Sequence, residues 1–198
     1  MATFAILPIK RFDRAKQRLR KGLAQAAVSE LVQTMFEDVL SSLERTRELE
    51  QILVVTSDPQ AKLIAREHDA TVIDDDERGH NTAAQRGVAH ALAANAQRAL
   101  LVPGDCPLLD PEELDALISR PVPTPSALIV PDRHGTGTNA LLLTPPDAIE
   151  PSFGPDSCAR HERTARGAGV TAEVVPVPSL ALDIDTPDDF ATLTRARC

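Results

Sequence analysis

Residues 126–145 read SALIVPDRHGTGTNALLLTP, two apolar runs joined by a short glycine-rich loop. Elsewhere in the chain such runs alternate with Ala-, Leu- and Glu-rich stretches of helical length, so this one break in the alternation decides the fold. Runs that are apolar on both faces and separated by helices predict a mainly parallel sheet with helices on it. Two strands joined by a short loop predict instead an antiparallel pair, or a local excursion, within that sheet. Gly135, Gly137 and Ala140 also fall at the G-x-G-x-x-A spacing of a dinucleotide-binding turn. Such a turn leads from a strand into a helix whose N-terminus holds the pyrophosphate, and an acidic residue closes the next strand about 20 residues later. Here the glycines lead into a strand that stops at Pro145-Pro146, and no acid closes a strand nearby, which argues against a nicotinamide site. What remains is a loop with backbone N–H groups and the hydroxyls of Thr136 and Thr138, Asn139 beside them, of a kind that wraps a small anion.

Outward from that loop, strands are expected at residues 4–10, 52–57, 70–74, 98–104, 126–132, 139–145, 172–177 and 180–185. Helices are expected at about 25–45, 60–68, 82–96, 111–119, 156–168 and 187–195. Three helix starts are marked by a capping side chain before a proline: Asp58-Pro59, Asp110-Pro111 and Thr186-Pro187. With 198 residues, 42 % of them hydrophobic, the chain suits one domain over residues 1–198.

The core must be aliphatic, since there are five Phe and no Tyr or Trp, and this argues against a nucleic-acid binder that stacks bases. Net charge is −8, yet seven of the 21 basic residues lie between Lys10 and Lys21, opposed there only by Asp13. A concentrated basic segment in an acidic chain points to a local anion site, with a solvated helix face as the alternative. Cys106, Cys158 and Cys198 follow neither a disulfide nor a zinc spacing. No signal-peptide pattern opens the sequence, and its apolar runs are far shorter than the roughly 20 residues of a membrane helix. A reduced, cytoplasmic protein that binds neither nucleic acid nor membrane is expected.

In open α/β sheets ligands collect beyond the carboxyl ends of the strands, which places Lys10 at a ligand, with Lys16 six residues on. Arg20 and Lys21, further from the strand end, read as surface. There is no G-x-x-x-x-G-K-[ST], so phosphates would be held by lysine and arginine side chains and loop amides. Gly104-Asp105 ends one expected strand, and Asp183 and Asp185 end another, where their i, i+2 spacing points them to one face. Three carboxylates meeting there would repel one another unless a cation such as magnesium, shared with phosphate oxygens, relieved them. The alternatives are that Asp185 caps the helix at Pro187 and that Asp105 only shapes its turn. No serine, cysteine or histidine stands in a nucleophile motif. Phosphoryl or nucleotidyl transfer needs none, because an ionised acceptor phosphate is already nucleophilic.

The segments PIKRFDRAKQRL, VVTSDP, NTAA at Asn81, PGDCPLL at Pro103 to Leu109, DRHGTGTNALLL, FGPDS at Phe153 to Ser157 and LALDIDTPDD together resemble the guanylyltransferases of coenzyme F(420) biosynthesis, nearly end to end. DRHGTGTN with FGPDS is the specific part; the lysines and aspartates are shared with a wider superfamily of nucleotidyltransferases of the glycosyltransferase-A type. Two segments depart from the family pattern: RGHNTAAQ stands where a Gly-rich G-x-N-A-A-L is common, and PGDCP replaces P-A-D-x-P, with Asn81 and Asp105 kept in both.

The resemblance implies a three-layer α/β/α sandwich with a mainly parallel, Rossmann-like sheet. It also implies a reaction of GTP with phosphoenolpyruvate or 2-phospho-L-lactate, giving a guanosine-diphospho product and pyrophosphate; 3-phosphoglycerate stays open as acceptor. Lys10, Lys16 and Asp105 would be catalytic. Pro8, Lys10, Arg11, Lys16, Asn81, Pro103 and Gly104 would bind the nucleotide, and Asp105, Asp183 and Asp185 would hold Mg2+. Thr138, Gly154 and Ser157 would bind the acceptor, since residues 154–157 open a helix whose N–H groups suit an anion; a cap role for Ser157 is the alternative. A homodimer is compatible with the sequence. Two rivals stand beside this assignment: a molybdenum-cofactor or sugar-phosphate nucleotidyltransferase, and a non-catalytic nucleotide-binding protein of the same fold.

Overall fold

In the computed structural model, which describes residues 1–17, 19 and 24–196, the chain begins with β1 (Thr3–Ile9), a strand buried at every position. Such a run has no polar face to show water, and it lies inside the sheet between two parallel neighbours. The order along the chain is β1, α1 (Gln25–Glu44), β2 (Gln51–Thr56), α2 (Pro59–Glu67), β3 (Thr71–Asp74), α3 (His80–Ala93), β4 (Arg98–Leu101), α4 (Pro111–Ile118), β5 (Ser126–Pro131), β6 (Thr138–Thr144), α5 (Ser157–Gly167), β7 (Thr171–Val174) and α6 (Pro187–Ala196). The seven strands form one sheet in the order β3-β2-β1-β4-β6-β5-β7. β6 pairs antiparallel with both β4 and β5, and every other pairing is parallel. The break at residues 126–145 is thus an antiparallel excursion in a parallel sheet.

Strand residues alternate between two apolar layers, as the period-2 geometry requires. Ala5, Leu7, Leu100 and Leu142 face α1, α2, α4 and α6, while Phe4, Ile6, Leu101 and Leu141 face α3 and α5. This is the three-layer α/β/α arrangement expected. Asp58 accepts from the N–H groups of Gln60 and Ala61 at the head of α2, and Asp110 from that of Glu112 at the head of α4. Thr186 and Asp189 bond each other's N–H groups at the head of α6, a capping box with aspartate at its third position.

One expected strand is absent. Residues 180–185, LALDID, form no ladder: a 3-10 turn at Pro178–Leu180 leads into irregular chain. The reason is topological, because β4 already has β1 on one side and β6 on the other and offers no open edge. The segment is fixed instead by burial of Leu180, Leu182 and Ile184 and by the Ile184 N–H donating to the Asp105 carbonyl. The strand expected at 172–177 is likewise shorter, ending at Val174 ahead of Pro176.

Candidate active site

A cleft of about 550 Å3 opens beyond the carboxyl ends of β1 and β4. Pro8, Lys10, Lys16, Pro103, Gly104, Asp105 and Asp185 all line it. Lys10 is exposed where β1 leaves the sheet. Arg11, which pairs with Asp13 at 3.0 Å, borders an adjoining cavity of about 180 Å3 together with Lys10, Asp75 and Gly79. Arg20 and Lys21 lie outside the described residues.

Lys16 adopts a left-handed backbone conformation, with φ of 51°, and its side chain is only 11 % exposed. Its ammonium bridges the carboxylates of Asp105 and Asp185. Burial pulls against that charge, but Asp105 and then Asp185 outweigh it and hold the group above its ordinary pKa. Asp185 therefore serves the cleft and does not cap α6, whose cap is Thr186. Asp105 does more than shape a turn: one carboxylate oxygen meets Lys16, and the other is buried with no hydrogen-bond partner among the described residues. Asp183 accepts from Asn139 Nδ2 at 3.4 Å, and its pKa is raised by burial and then by the charges of Asp105 and Asp185. The three aspartates thus come together without the strand that was expected to carry two of them.

This donor set fits a divalent cation, since an unpaired buried oxygen and mutually repelling carboxylates gain from a positive charge. Among the described residues no three His, Cys, Asp or Glu side chains form a ready-made metal cage; the ammonium of Lys16 stands between two of them. That is the arrangement suited to an ion held by one or two carboxylates and completed by phosphate oxygens.

A second cavity of about 260 Å3 shares Pro8, Pro103, Asp105 and Asp185 with the cleft and adds Asp183, Thr138 and Gly154. Gly154, at φ of 120°, has a conformation that side chains avoid, and its N–H has no partner among the described residues. Ser157, 1 % exposed, stands at the first position of α5, and its buried hydroxyl has no hydrogen-bond partner among the described residues, so it caps nothing. It does not line the cavity, and the N–H groups of Ser157 and Cys158 are taken by Gly154 and Thr136 carbonyls. The glycine loop also differs from expectation. Asp132 accepts from the N–H groups of His134 and Thr136, and the Gly135 N–H bonds the Asp132 carbonyl, so those amides are closed on the loop itself. Thr138 and Gly154, not the loop amides, face the cavity.

Asn81 does not line the cleft. Its amide accepts from the Phe153 N–H at 2.7 Å and donates to the Phe153 carbonyl at 3.2 Å, clamping the FGPDS segment to the head of α3. Two residues that the sequence did not single out complete the site. His80 lines all three cavities, and burial, with Lys10 as the next cause, lowers its pKa. His161 bonds Thr138 from beneath; its only sequence signal is its place one helical turn after Ser157.

Residues 3–194 match the family described as Guanylyl transferase CofC like. The chain belongs to that family. This CofC-like chain is 52 % identical over 195 residues to a phosphoenolpyruvate guanylyltransferase of Conexibacter woesei, covering 98 % of this chain and 87 % of the relative. It is 35 % identical over 193 residues to a 3-phospho-D-glycerate guanylyltransferase of Colwellia psychrerythraea, covering 98 % and 91 %. In fold it is similar to a nucleotidyl transferase from Methanothermobacter thermautotroptrophicus, with a TM-score of 0.74 at 16 % identity over 98 % of this chain and 97 % of that one. The protein is thus a guanylyltransferase, and neither rival fits as well. No helix among the described residues is long and apolar enough to cross a membrane.

Proposed function

We propose that this guanylyltransferase moves GMP from GTP to phosphoenolpyruvate or 2-phospho-L-lactate, giving enolpyruvyl- or lactyl-diphosphoguanosine and pyrophosphate. We place the reaction in coenzyme F(420) biosynthesis in the cytoplasm. The observation that carries this is that Asp105 and Asp185 line both the larger cleft and the smaller cavity, so two ligands would meet at those carboxylates.

GTP lies in the larger cleft, its triphosphate between Lys10 and Lys16, with Pro8, Pro103 and Gly104 as walls. The acceptor lies in the smaller cavity, where the Thr138 hydroxyl and the Gly154 N–H each have a donor to offer an anion. An oxygen of the acceptor phosphate attacks the α-phosphorus, the bond to the β-phosphate oxygen breaks, and pyrophosphate leaves with that electron pair. The attacking oxygen is already ionised, so no general base is required. Magnesium, held by Asp105, Asp183 and Asp185, would supply charge neutralisation of the phosphates. Lys16, paired with two of those aspartates, is placed to pass its charge to the leaving phosphates. Asn81 acts through Phe153, whose backbone it fixes.

Incubation with GTP, magnesium and each of phosphoenolpyruvate, 2-phospho-L-lactate and 3-phosphoglycerate, followed by mass analysis, tests the proposal. A guanosine-diphospho adduct with one of the first two is expected. An adduct with 3-phosphoglycerate alone, or with none, would overturn it. Size-exclusion chromatography coupled to light scattering reads whether the enzyme is a homodimer.

A further inference from the structure

His161 is buried completely, yet both of its ring nitrogens have partners. Nε2 lies 2.9 Å from the backbone nitrogen of Ser152. A backbone N–H can only donate, so Nε2 is the acceptor and the ring proton resides on Nδ1. Nδ1 in turn lies 3.0 Å from the Thr138 hydroxyl oxygen. The direction of the chain is therefore fixed: Ser152 N–H to Nε2, then Nδ1–H to Thr138 Oγ1. The Thr138 oxygen receives one hydrogen bond from below and has no other partner among the described residues, while the residue lines the cavity shared with Asp105.

We infer that His161 is a positioning residue for the acceptor site, whose ring, set by Ser152, makes the Thr138 hydroxyl a donor aimed into the cavity. This inference rests on the acceptor placement proposed above. A free threonine hydroxyl can rotate to accept or to donate; one that already accepts from an imidazole N–H offers an anion its proton. Everything around the ring holds it still. Arg160 donates to the Ser152 carbonyl at 2.7 Å, Asn81 clamps Phe153, and the Phe153 ring meets His161 edge-on with centroids 5.5 Å apart. Burial, with the charge of Arg160 as the lesser cause, lowers the ring's pKa to about 4, so it is neutral at pH 7 and keeps the acceptor that Ser152 requires.

Two measurements test this. In the ligand-free protein, 15N shifts of the His161 imidazole report the tautomer: Nδ1–H is expected, and Nε2–H would overturn the inference whatever the enzyme's activity. In steady-state kinetics with GTP and phosphoenolpyruvate, His161→Phe keeps the ring and its contact with Phe153 but removes both nitrogens. The KM for the acceptor should rise roughly 10-fold while the KM for GTP stays within about twofold. His161→Asn, whose amide can still donate to Thr138, should recover most of that loss. In a Thr138→Val background His161→Phe should add no further rise, because the hydroxyl through which it acts is gone. An equal rise in both KM values, or the full rise repeated in the Thr138→Val background, would show a general structural role and overturn the proposal. If wild-type protein formed no product with any acceptor, the proposed function would fail and with it the acceptor role of His161, the tautomer alone being left to stand.

Discussion

At Lys16 one ammonium is shared between Asp105 and Asp185, so the cleft is closer to charge balance than its carboxylates alone would allow. Lys16→Ala should raise the KM for GTP at least 10-fold and lower kcat, measured by pyrophosphate release. A change within twofold in both would remove Lys16 from the site. Asp183→Asn should keep the fold, since the amide can still bond Asn139 and a costly buried charge is lost, while activity falls roughly 10²- to 10³-fold. Its thermal midpoint should match or exceed that of wild type; near-normal rates in this variant, or in wild type with excess chelator, would count against a metal on these carboxylates. That Lys10 and Asp105 would gather at the cleft was legible in the sequence because each follows a strand, whereas Asp183 and Asp185 reach it on irregular chain and not at the strand end that was expected. The chain from Ser152 through His161 to Thr138 was not, because its partners are 9 and 23 residues apart and only the folded chain shows that both ring nitrogens are occupied.

At the scale of elements, aspartate-proline pairs mark the heads of α2 and α4, but the two caps carry unequal loads. Asp58 is buried and bonds three N–H groups: Gln60 and Ala61 in its own helix, and Phe12 in the segment after β1. Among the described residues the Asp110 side chain bonds only the Glu112 N–H, and Asp110 is exposed. Asp58→Ala should therefore destabilise by roughly 3 kcal/mol and Asp110→Ala by about 1 kcal/mol, read from denaturant midpoints. Equal losses would mean that the bond to Phe12 adds nothing. α3 lies so close to β1 that a Cβ on Gly87 would strike the side chain of buried Ile6, whose branched γ-carbon cannot turn aside freely. Gly87→Ala should lower stability by about 1–2 kcal/mol despite the gain in helix propensity. Cap chemistry and apolar period were visible locally, so these elements and their starts could be placed. LALDID could not: its apolar alternation is that of a strand, and what decides against one is that β4 is already paired on both edges, a fact of topology and not of the segment.

For the whole molecule, the order β3-β2-β1-β4-β6-β5-β7 puts the ends of β1 and β4 beside the start of β6, which is why the antiparallel excursion matters to function: reversing β6 delivers Thr138 to the cavity that Asp105 and Asp185 line. The sequence pointed to a break there, as an antiparallel pair or a local excursion, but not to β6 inserting between β4 and β5. The fully buried His161 couples this arrangement to pH. With a folded pKa of about 4 for His161 against about 6.5 unfolded, the unfolded chain binds more protons between those values. Stability from this group is thus full above about pH 6.5 and is lost as pH falls toward 4, by roughly 3 kcal/mol when complete. His80, also lowered by burial, adds in the same direction. His161→Asn should flatten the stability profile across that window, and an unchanged profile would show that the ring titrates normally. The central claim, that a nucleotide and a phosphorylated acceptor meet over Asp105 and Asp185, is tested most directly by following label from GTP in the presence of phosphoenolpyruvate and magnesium. Label in the α-phosphate should appear in a new guanosine-diphospho compound and label in the γ-phosphate in pyrophosphate. A γ-label in inorganic phosphate or on the acceptor would instead mean hydrolysis or terminal phosphoryl transfer, and would contradict the account.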